Sequence, residues 1–425
     1  MIAAATLALT LLAVPAPQGA DTVPVITLAE ALERGTRLEP DYVEALGRVA
    51  EADWTRTAAR LAFFVPAVTT SLDWTKYSQP FFNFGTLQQA STSTTFNATA
   101  QLSLNARRLV ELGRSRAELE AATSTEVQRR YAAALLIESA YYTVLSDAEL
   151  ARVAAERLRR AEEQLVLARA RVASGAAVQS DSLTVRLELV RARVDVLRQG
   201  AALRESQLEL GRRAGMDGPR QAAPLDTLPP PALPLSLAEA VMQAVESGPQ
   251  YRAARARERS AESALKAERT GYLPSFSITA QHNRYDVKLF PNAAAFSSLT
   301  VGVSLPIWDN GVRELNVIRA RTQRDVARAL RGDLERSALR EVTAAYDAYE
   351  TARAEVGLAQ EGVVVARENY RVQEARYRAG ATIVLDLLTA QTELSSAEAT
   401  LVEARQQVRL ARARLEAILG RRLQS

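Results

Sequence analysis

The chain has 425 residues, 48% hydrophobic but only 6% aromatic, and its 53 Lys and Arg are nearly balanced by 49 Asp and Glu. Cysteine is absent and His282 is the only histidine, which excludes a disulfide framework, a thiolate metal site, a cysteine nucleophile and a lipid-anchoring N-terminal cysteine. Sparse Gly and Pro among abundant Ala, Leu, Arg and Glu is the profile of long helices, and a net charge of +4 interleaved with acids is a solvated face, not a nucleic-acid stripe.

Residues 1–20 read as a cleaved export signal: an apolar run from Ile2 to Val14, then Pro15, Pro17 and small residues up to Ala20. No Lys or Arg precedes the run, and Gln18 stands where a small residue is expected before the cut. About 13 apolar residues fall short of the 18 or more that span a bilayer. Nothing later comes close to a spanning apolar helix, so any membrane crossing would be made by strands.

The rest of the chain is duplicated. Thr27-Leu28-Ala29-Glu30-Ala31 returns as Ser236-Leu237-Ala238-Glu239-Ala240, Phe64-Val65-Pro66 as Tyr272-Leu273-Pro274, Tyr141 as Tyr346 and Gly215 as Gly420. The expected division is a first repeat over 21–216, a proline-rich linker over 217–235 and a second repeat over 236–425. Each repeat opens with a helix, Thr27 to about Phe63 and Ser236 to about Gly271, with Thr or Ser as N-cap and Glu three residues later. Pro66 and Pro274 end these helices, and the apolar period shortens from about 3.6 to 2.

Val68, Thr70, Leu72 and Trp74 alternate with Thr69, Ser71, Asp73 and Thr75; Phe96 to Leu104, Phe276 to Ala280 and Leu299 to Leu305 alternate in the same way. Two hairpins are predicted, about 66–105 and 274–307, of four strands of about ten residues each. That is the length of a tilted membrane strand with lipid on one face and water on the other. Trp74, Tyr77, Phe81, Phe82 and Phe84 cluster at one end, and Phe63, Phe64, Tyr272 and Trp308 at the other, as interfacial girdles do. Four strands close no barrel, and open edges in lipid are prohibitive, so copies must assemble: two give eight strands and three give twelve.

Each hairpin leads into a proline-free stretch, Arg107 to Ser174 and Gly311 to Ala379, each roughly 100 Å long as a helix. Val342, Tyr349, Val356, Val363, Tyr370 and Tyr377 repeat every seven residues, as do Ile137, Val144, Ala151, Leu158, Leu165 and Val172. Turns over 173–181 and 378–386, with Gly175 and Gly380 in matching places 205 positions apart, send the chain back. The returning stripes read Leu183, Leu187, Val190, Val194, Leu197 and Leu387, Ala390, Leu394, Ala397, Leu401. Sustained heptads predict left-handed antiparallel coiled-coil hairpins. The fold class is therefore mainly α with a transmembrane β portion.

This order of signal, duplicated helix, strand pair and long helical hairpin, with Tyr377-x-x-Gly380 followed by Val384-Leu385-Asp386-Leu387-Leu388, resembles the TolC-like outer-membrane efflux family. The resemblance implies a homotrimer with a twelve-stranded barrel in outer-membrane lipid and a periplasmic helical tunnel. It further implies a periplasmic adaptor (membrane fusion) protein and an inner-membrane pump of RND or ABC type as partners. In the family's inner gate, Tyr377 matches the gate tyrosine, Ser180 and Asp181 the hydroxyl and acid offered to it, and Asp386 the first acidic ring. Thr389 stands where a second ring acid is expected and Thr382 where the gate arginine is expected, so the gate network is expected to be thinner.

A plainer role exists for each: an acid in a first helical turn favours the dipole, Ser180 or Thr382 can cap, and Tyr377 can simply pack on the heptad stripe. No catalytic residue, cofactor or metal is expected. His282 sits in a strand beside Arg284 and Tyr285, a rim residue and not a base. The alternative is a soluble periplasmic coiled-coil scaffold or adaptor; uncharged strand cores and the duplicated hairpins argue against it.

Overall fold

The computed structural model describes residues 23–83, 87–225, 231–287 and 293–423; the expected signal over 1–20 and the girdle residue Phe84 lie outside them. The expected opening helix of each repeat is two helices. In the first repeat, β1 (Val25–Ile26) precedes α1 (Leu28–Thr36) and α2 (Pro40–Leu61); in the second, α5 (Leu237–Ser247) precedes α6 (Pro249–Arg269). The cause in both is a proline at the first helical position. Proline lacks the N–H that would continue the preceding helix, and it holds its predecessor extended: Glu39 has φ −66° and ψ 121°, and Gly248 φ −58° and ψ 138°. Ser236 and Glu239 form the full reciprocal cap, whereas Thr27 accepts only from the Glu30 N–H.

The linker does more than connect. Gln221 and Ala222 form β4, which pairs in parallel with β1 in the register Val25 to Gln221 and Ile26 to Ala222. Ile26 and Ala222 are buried in a core with Ile137, Tyr141, Val144 and Leu210. The Tyr141 hydroxyl donates to Ala223 O at 2.8 Å, and Tyr349 to Pro231 O at 2.7 Å, so tyrosines from both repeats strap the linker down.

The remaining strands form one antiparallel sheet of order β2–β3–β5–β6: β2 (Ala67–Asn83), β3 (Gln88–Asn105), β5 (Ser275–Asp286) and β6 (Ala294–Ser304). The second hairpin has strands of 12 and 11 residues, near the expected ten, but the first has 17 and 18. Its Thr- and Ser-rich segment, Thr92 to Thr95, continues the pairing as far as Lys76, where β-branched residues suit the pleat though the apolar alternation has stopped. Beyond a register shift between Lys76 and Phe81 the pairing resumes, from Phe81 opposite Ala90 to Asn83 opposite Gln88. Leu72 lies opposite Phe96, Leu102 opposite Ile278 and Ile278 opposite Val301, which gathers the apolar side chains on one exposed face. The other face carries Asn97, Thr99, Gln101, Thr279 and Gln281, with Gln281 donating to Asn97 Oδ1 at 3.3 Å. His282 belongs to the apolar face and shares a 2.9 Å hydrogen bond with the Ser297 hydroxyl.

β3 passes into the long helix α3 (Ala106–Ala173) without a loop, because Asn105 ends the strand and caps the helix, its Oδ1 accepting from Arg108 N at 3.0 Å. α3 has 68 residues and α7 (Val312–Arg378) has 67, so each is about 100 Å long. α4 (Gln179–Arg213) and α8 (Val384–Leu419) return from them. Among the described residues no helix is long and apolar enough to cross a membrane. The helices pack side by side in the order α4, α3, α8, α7, with α2 and α6 against α3 and α6 also against α7.

Ile137, Val144 and Leu165 on α3, Val342, Tyr349, Val356, Val363 and Tyr377 on α7, and Leu387, Ala390 and Leu394 on α8 are buried, following the heptad stripes. The stripe expected on α4 is not. Leu183 is 58% exposed and Leu197 73%, with Leu187, Val190 and Val194 also exposed; Val185, Leu189 and Ala192 face α3 instead. α4 is thus apolar on two faces. As an edge helix it has a neighbour for only one of them, whereas α8 is flanked by α3 and α7. α7, the other edge helix, leaves Leu358, Val364 and Val365 exposed.

The two repeats are tied together by a buried ionic knot. Glu138 on α3, 2% exposed, receives Arg422 at 2.5 Å; Arg422 also pairs with Glu416 at 2.8 Å, which Arg412 holds at 3.1 Å. Burial raises the Glu138 carboxyl above the usual range and nearby Glu416 adds to this, while Arg422 and Arg412 oppose it. Since the raised value belongs to the folded state, an ionised Glu138 opposes folding as pH rises, and the penalty fades as pH falls towards the unfolded carboxylate range. Arg422→Ala is expected to destabilise the protein by about 2 kcal/mol at pH 7, below the value for a fully buried pair because Arg422 is half exposed. The loss should shrink by pH 5 and lose its pH dependence when Glu138→Gln is added, as read by thermal unfolding of each variant.

Candidate functional site

The long helices end in two like-built turns. At the first, Gly175 N donates to Val172 O at 3.1 Å and Ala176 N to Arg171 O at 2.9 Å; at the second, Gly380 N donates to Tyr377 O at 3.1 Å and Ala381 N to Arg376 O at 2.8 Å. These are paired Schellman closures, which need a left-handed residue after the cap. Gly175 at φ 75° and Gly380 at φ 77° supply it without the Cβ penalty. Val178 and Ile383 then start the returning helices with no side-chain cap, so neither Ser180 nor Thr382 takes the capping role open to it.

The two tips pack on each other. Leu165, Ala168, Val185 and Leu189 from the first hairpin enclose Tyr377, Val384 and Leu387 from the second. Tyr377 is 1% exposed, and its hydroxyl has no hydrogen-bond partner. Burial raises its phenol above the ordinary value, with Arg171 pulling it down and the Asp181 carboxylate pushing it up, so it is neutral at physiological pH. Asp181 therefore acts on Tyr377 through its field and not through a hydrogen bond. Ser180 is exposed, and its carbonyl accepts from Thr184 on the same helix. Asp386 is exposed in the first turn of α8 and accepts a hydrogen bond from the Thr382 hydroxyl; Thr389 is exposed one turn further on. The expected gate residues thus divide: Tyr377 lies in the seam between hairpins, while Asp386, Thr382, Thr389 and Ser180 line the free surface of the tips.

One residue at the seam is not among the expected gate residues. Arg171 of α3 lays its guanidinium over the Tyr377 ring at 4.4 Å from the centroid, donates from Nη1 to Tyr377 O at 2.6 Å and from Nη2 to Ala176 O at 3.2 Å. It sits among many exposed helix arginines, and its repeat counterpart Arg376 is exposed. The one hint available was its place just before the heptad position that becomes Tyr377 in the second repeat. Further up the seam the chemistry recurs: Gln164 donates to the Tyr370 hydroxyl at 3.2 Å, and Arg160 pairs with Glu398 at 3.1 Å, both side chains mostly buried. Among the described residues no group of acids and histidine could hold a metal ion.

The sequence profile described as outer membrane efflux protein matches residues 31–215 and 240–421, one segment in each repeat. The probable efflux pump outer membrane protein TtgC of Pseudomonas putida is 26% identical over 328 residues, 74% of this chain and 67% of that protein. Protein CyaE of Bordetella pertussis is 32% identical over 209 residues, 47% of this chain and 44% of the relative. The crystal structure of a membrane protein from Pseudomonas aeruginosa shares the fold with a TM-score of 0.77 at 21% identity, over 93% of this chain and 90% of that one. With both repeats matched and the fold shared along nearly its whole length, the chain belongs to the outer membrane efflux protein family.

Proposed function

We propose that three copies of the chain form the exit duct of an efflux or type I secretion system, with twelve strands closing a barrel in outer-membrane lipid and twelve long helices continuing it as a tunnel. The observation that carries this reading is that sheet and helices share one order. The sheet runs from β2 and β3 of the first repeat to β5 and β6 of the second, and the helices from α4 and α3 to α8 and α7. One rotation would therefore set β6 and α7 of one copy against β2 and α4 of the next, covering two open strand edges and two exposed apolar helix faces at once. Such a contact is heterologous, and it closes into a ring when the rotation divides a full turn.

The conduction is passive, gated by movement of the tips and without covalent chemistry. A periplasmic adaptor docked on the helical tunnel and an inner-membrane pump of RND or ABC type would supply cargo and energy; the similarity to an efflux-pump component such as TtgC supports that assignment. Asp386 from each copy would face the axis as a ring of three carboxylates that attracts cations, with Thr389 adding no second ring of charge. Tyr377, Asp181, Ser180 and Thr382 would contribute to closing the entrance.

Leu187→Arg combined with Leu197→Arg should convert the detergent-solubilised trimer to monomer, since each places a charge in the proposed seam; a trimer mass by light scattering in the double variant would refute the α4 interface. In planar bilayers, Asp386→Ala should weaken block by divalent cations about tenfold, equivalent to about 1.4 kcal/mol. Unaltered block and selectivity would remove Asp386 from the axis.

A further inference from the structure

We propose that Arg171 is the clasp that holds the two hairpin tips of each protomer together and so keeps the entrance closed. The inference rests on the gated-channel reading above and adds a residue that the family pattern does not assign in this chain.

Three features of the geometry converge on Arg171. Its guanidinium lies over the ring of Tyr377, the most deeply buried aromatic at the seam, and the face of that ring attracts a cation. It also reaches one carbonyl of each turn: Tyr377 O at 2.6 Å, which already accepts from Gly380 N, and Ala176 O at 3.2 Å, just past Gly175. Finally, α3 and α7 both end here, and the last carbonyls of a helix carry partial negative charge, so one cation serves two converging C-termini. A planar fork can stack on the ring and donate to both carbonyls together; an ammonium cannot.

The other polar groups of the tips do not bridge them. Thr382 and Asp386 bond to each other within the second hairpin, Ser180 and Thr184 within the first, and the Tyr377 hydroxyl to nothing. Among the described residues, the hydrogen bond that crosses from one tip turn to the other is the one Arg171 gives to Tyr377 O, while its second, to Ala176 O, fixes the guanidinium to its own turn. Separating the hairpins at this end therefore means taking Tyr377 off Arg171. The clasp uses a ring face and backbone carbonyls, with no carboxylate as partner.

The test is the resting open fraction of the purified full-length channel in planar bilayers, with assembly followed by light scattering. Arg171→Ala is expected to raise the open fraction at least about tenfold, the loss of one stacked cation and two charge-assisted hydrogen bonds. Arg171→Lys should give a partial rise. Tyr377→Leu, which keeps an apolar side chain but removes the π face, should behave like Arg171→Ala, whereas Tyr377→Phe, which keeps the face and drops an unbonded hydroxyl, should stay closed. Arg171→Met, which keeps an apolar side chain of similar length but no charge, should open like Arg171→Ala, whereas a purely packing role for Arg171 would leave it closed, and this variant keeps the test intact should Arg171→Ala fail to assemble. A closed wild type with an equally closed Arg171→Ala overturns the clasp alone; a wild type already open at rest overturns the gate reading along with it.

Discussion

The backbone groups along the outer edges of β2 and β6 set the terms for the rest of the molecule. A strand edge carries a row of donors and acceptors, and in hydrocarbon no water is present to satisfy them. The sheet's exposed apolar face, with Leu72, Leu299, Val301 and Val303, suits it to lipid, yet its two edges cannot remain open there. A soluble protein would blunt such edges with charge or a covering helix. Here Lys76 and Asp73 are the only charges on β2 and there is none on β6, and in the proposed ring each of these edges is paired by a neighbouring copy.

The helices inherit the same requirement. α3 and α8, in the middle of the layer, bury alanine-rich heptad stripes against neighbours on both sides. α4 and α7 have one neighbour each and still carry apolar residues on the far side. An exposed stripe spanning Leu183 to Leu197 is more than a monomeric soluble helix tolerates, and it marks an interaction face. Strand edges and helix stripes fall at the same two ends of the protomer because each repeat contributes one hairpin of each kind, in the same order. The duplication accounts for that alignment, and the proposed ring would use both ends at once.

How much of this the sequence displayed depended on whether a feature was periodic or depended on one residue. The heptads of Val342 to Tyr377, the alternation of Phe276 to Ala280 and the paired glycines at 175 and 380 repeat, and repetition survives the noise of single positions. Pro40 and Pro249 were equally visible, but the helical pattern runs through both, and a proline at a first turn looks the same whether it starts a helix or interrupts one. The stripe on α4 is legible in the sequence as apolar but its exposure is not, because periodicity gives a face and not what covers it. The β1–β4 clip is two residues long and parallel, too short for any alternation to register. Arg171 was hidden among the chain's many arginines, since cation–π stacking and carbonyl contacts leave no spacing to find. Of the gate residues expected from the resemblance, Tyr377 lies in the hairpin seam, while Asp386, Thr382, Thr389 and Ser180 lie on the surface of the tips, and no periodicity distinguishes the two sets.

The two tips show how a duplicated element acquires a direction. Arg171-Val172 in the first repeat corresponds to Arg376-Tyr377 in the second, and the two turns are closed by the same pair of backbone hydrogen bonds. Had the repeats stayed identical, the tips would have met with equivalent surfaces, and nothing would have favoured moving one hairpin over the other. Tyr377, where the first repeat has Val172, gives the second tip a ring to offer. Turning Arg171 inward while Arg376 stayed in solvent gave the first tip a cation to receive it. The contact between repeats became a lock of unlike halves, buried on the tyrosine side and anchored to backbone on the arginine side. A lock of that kind can release at one surface while each hairpin stays intact, because the heptad packing within α3–α4 and α7–α8 does not depend on it.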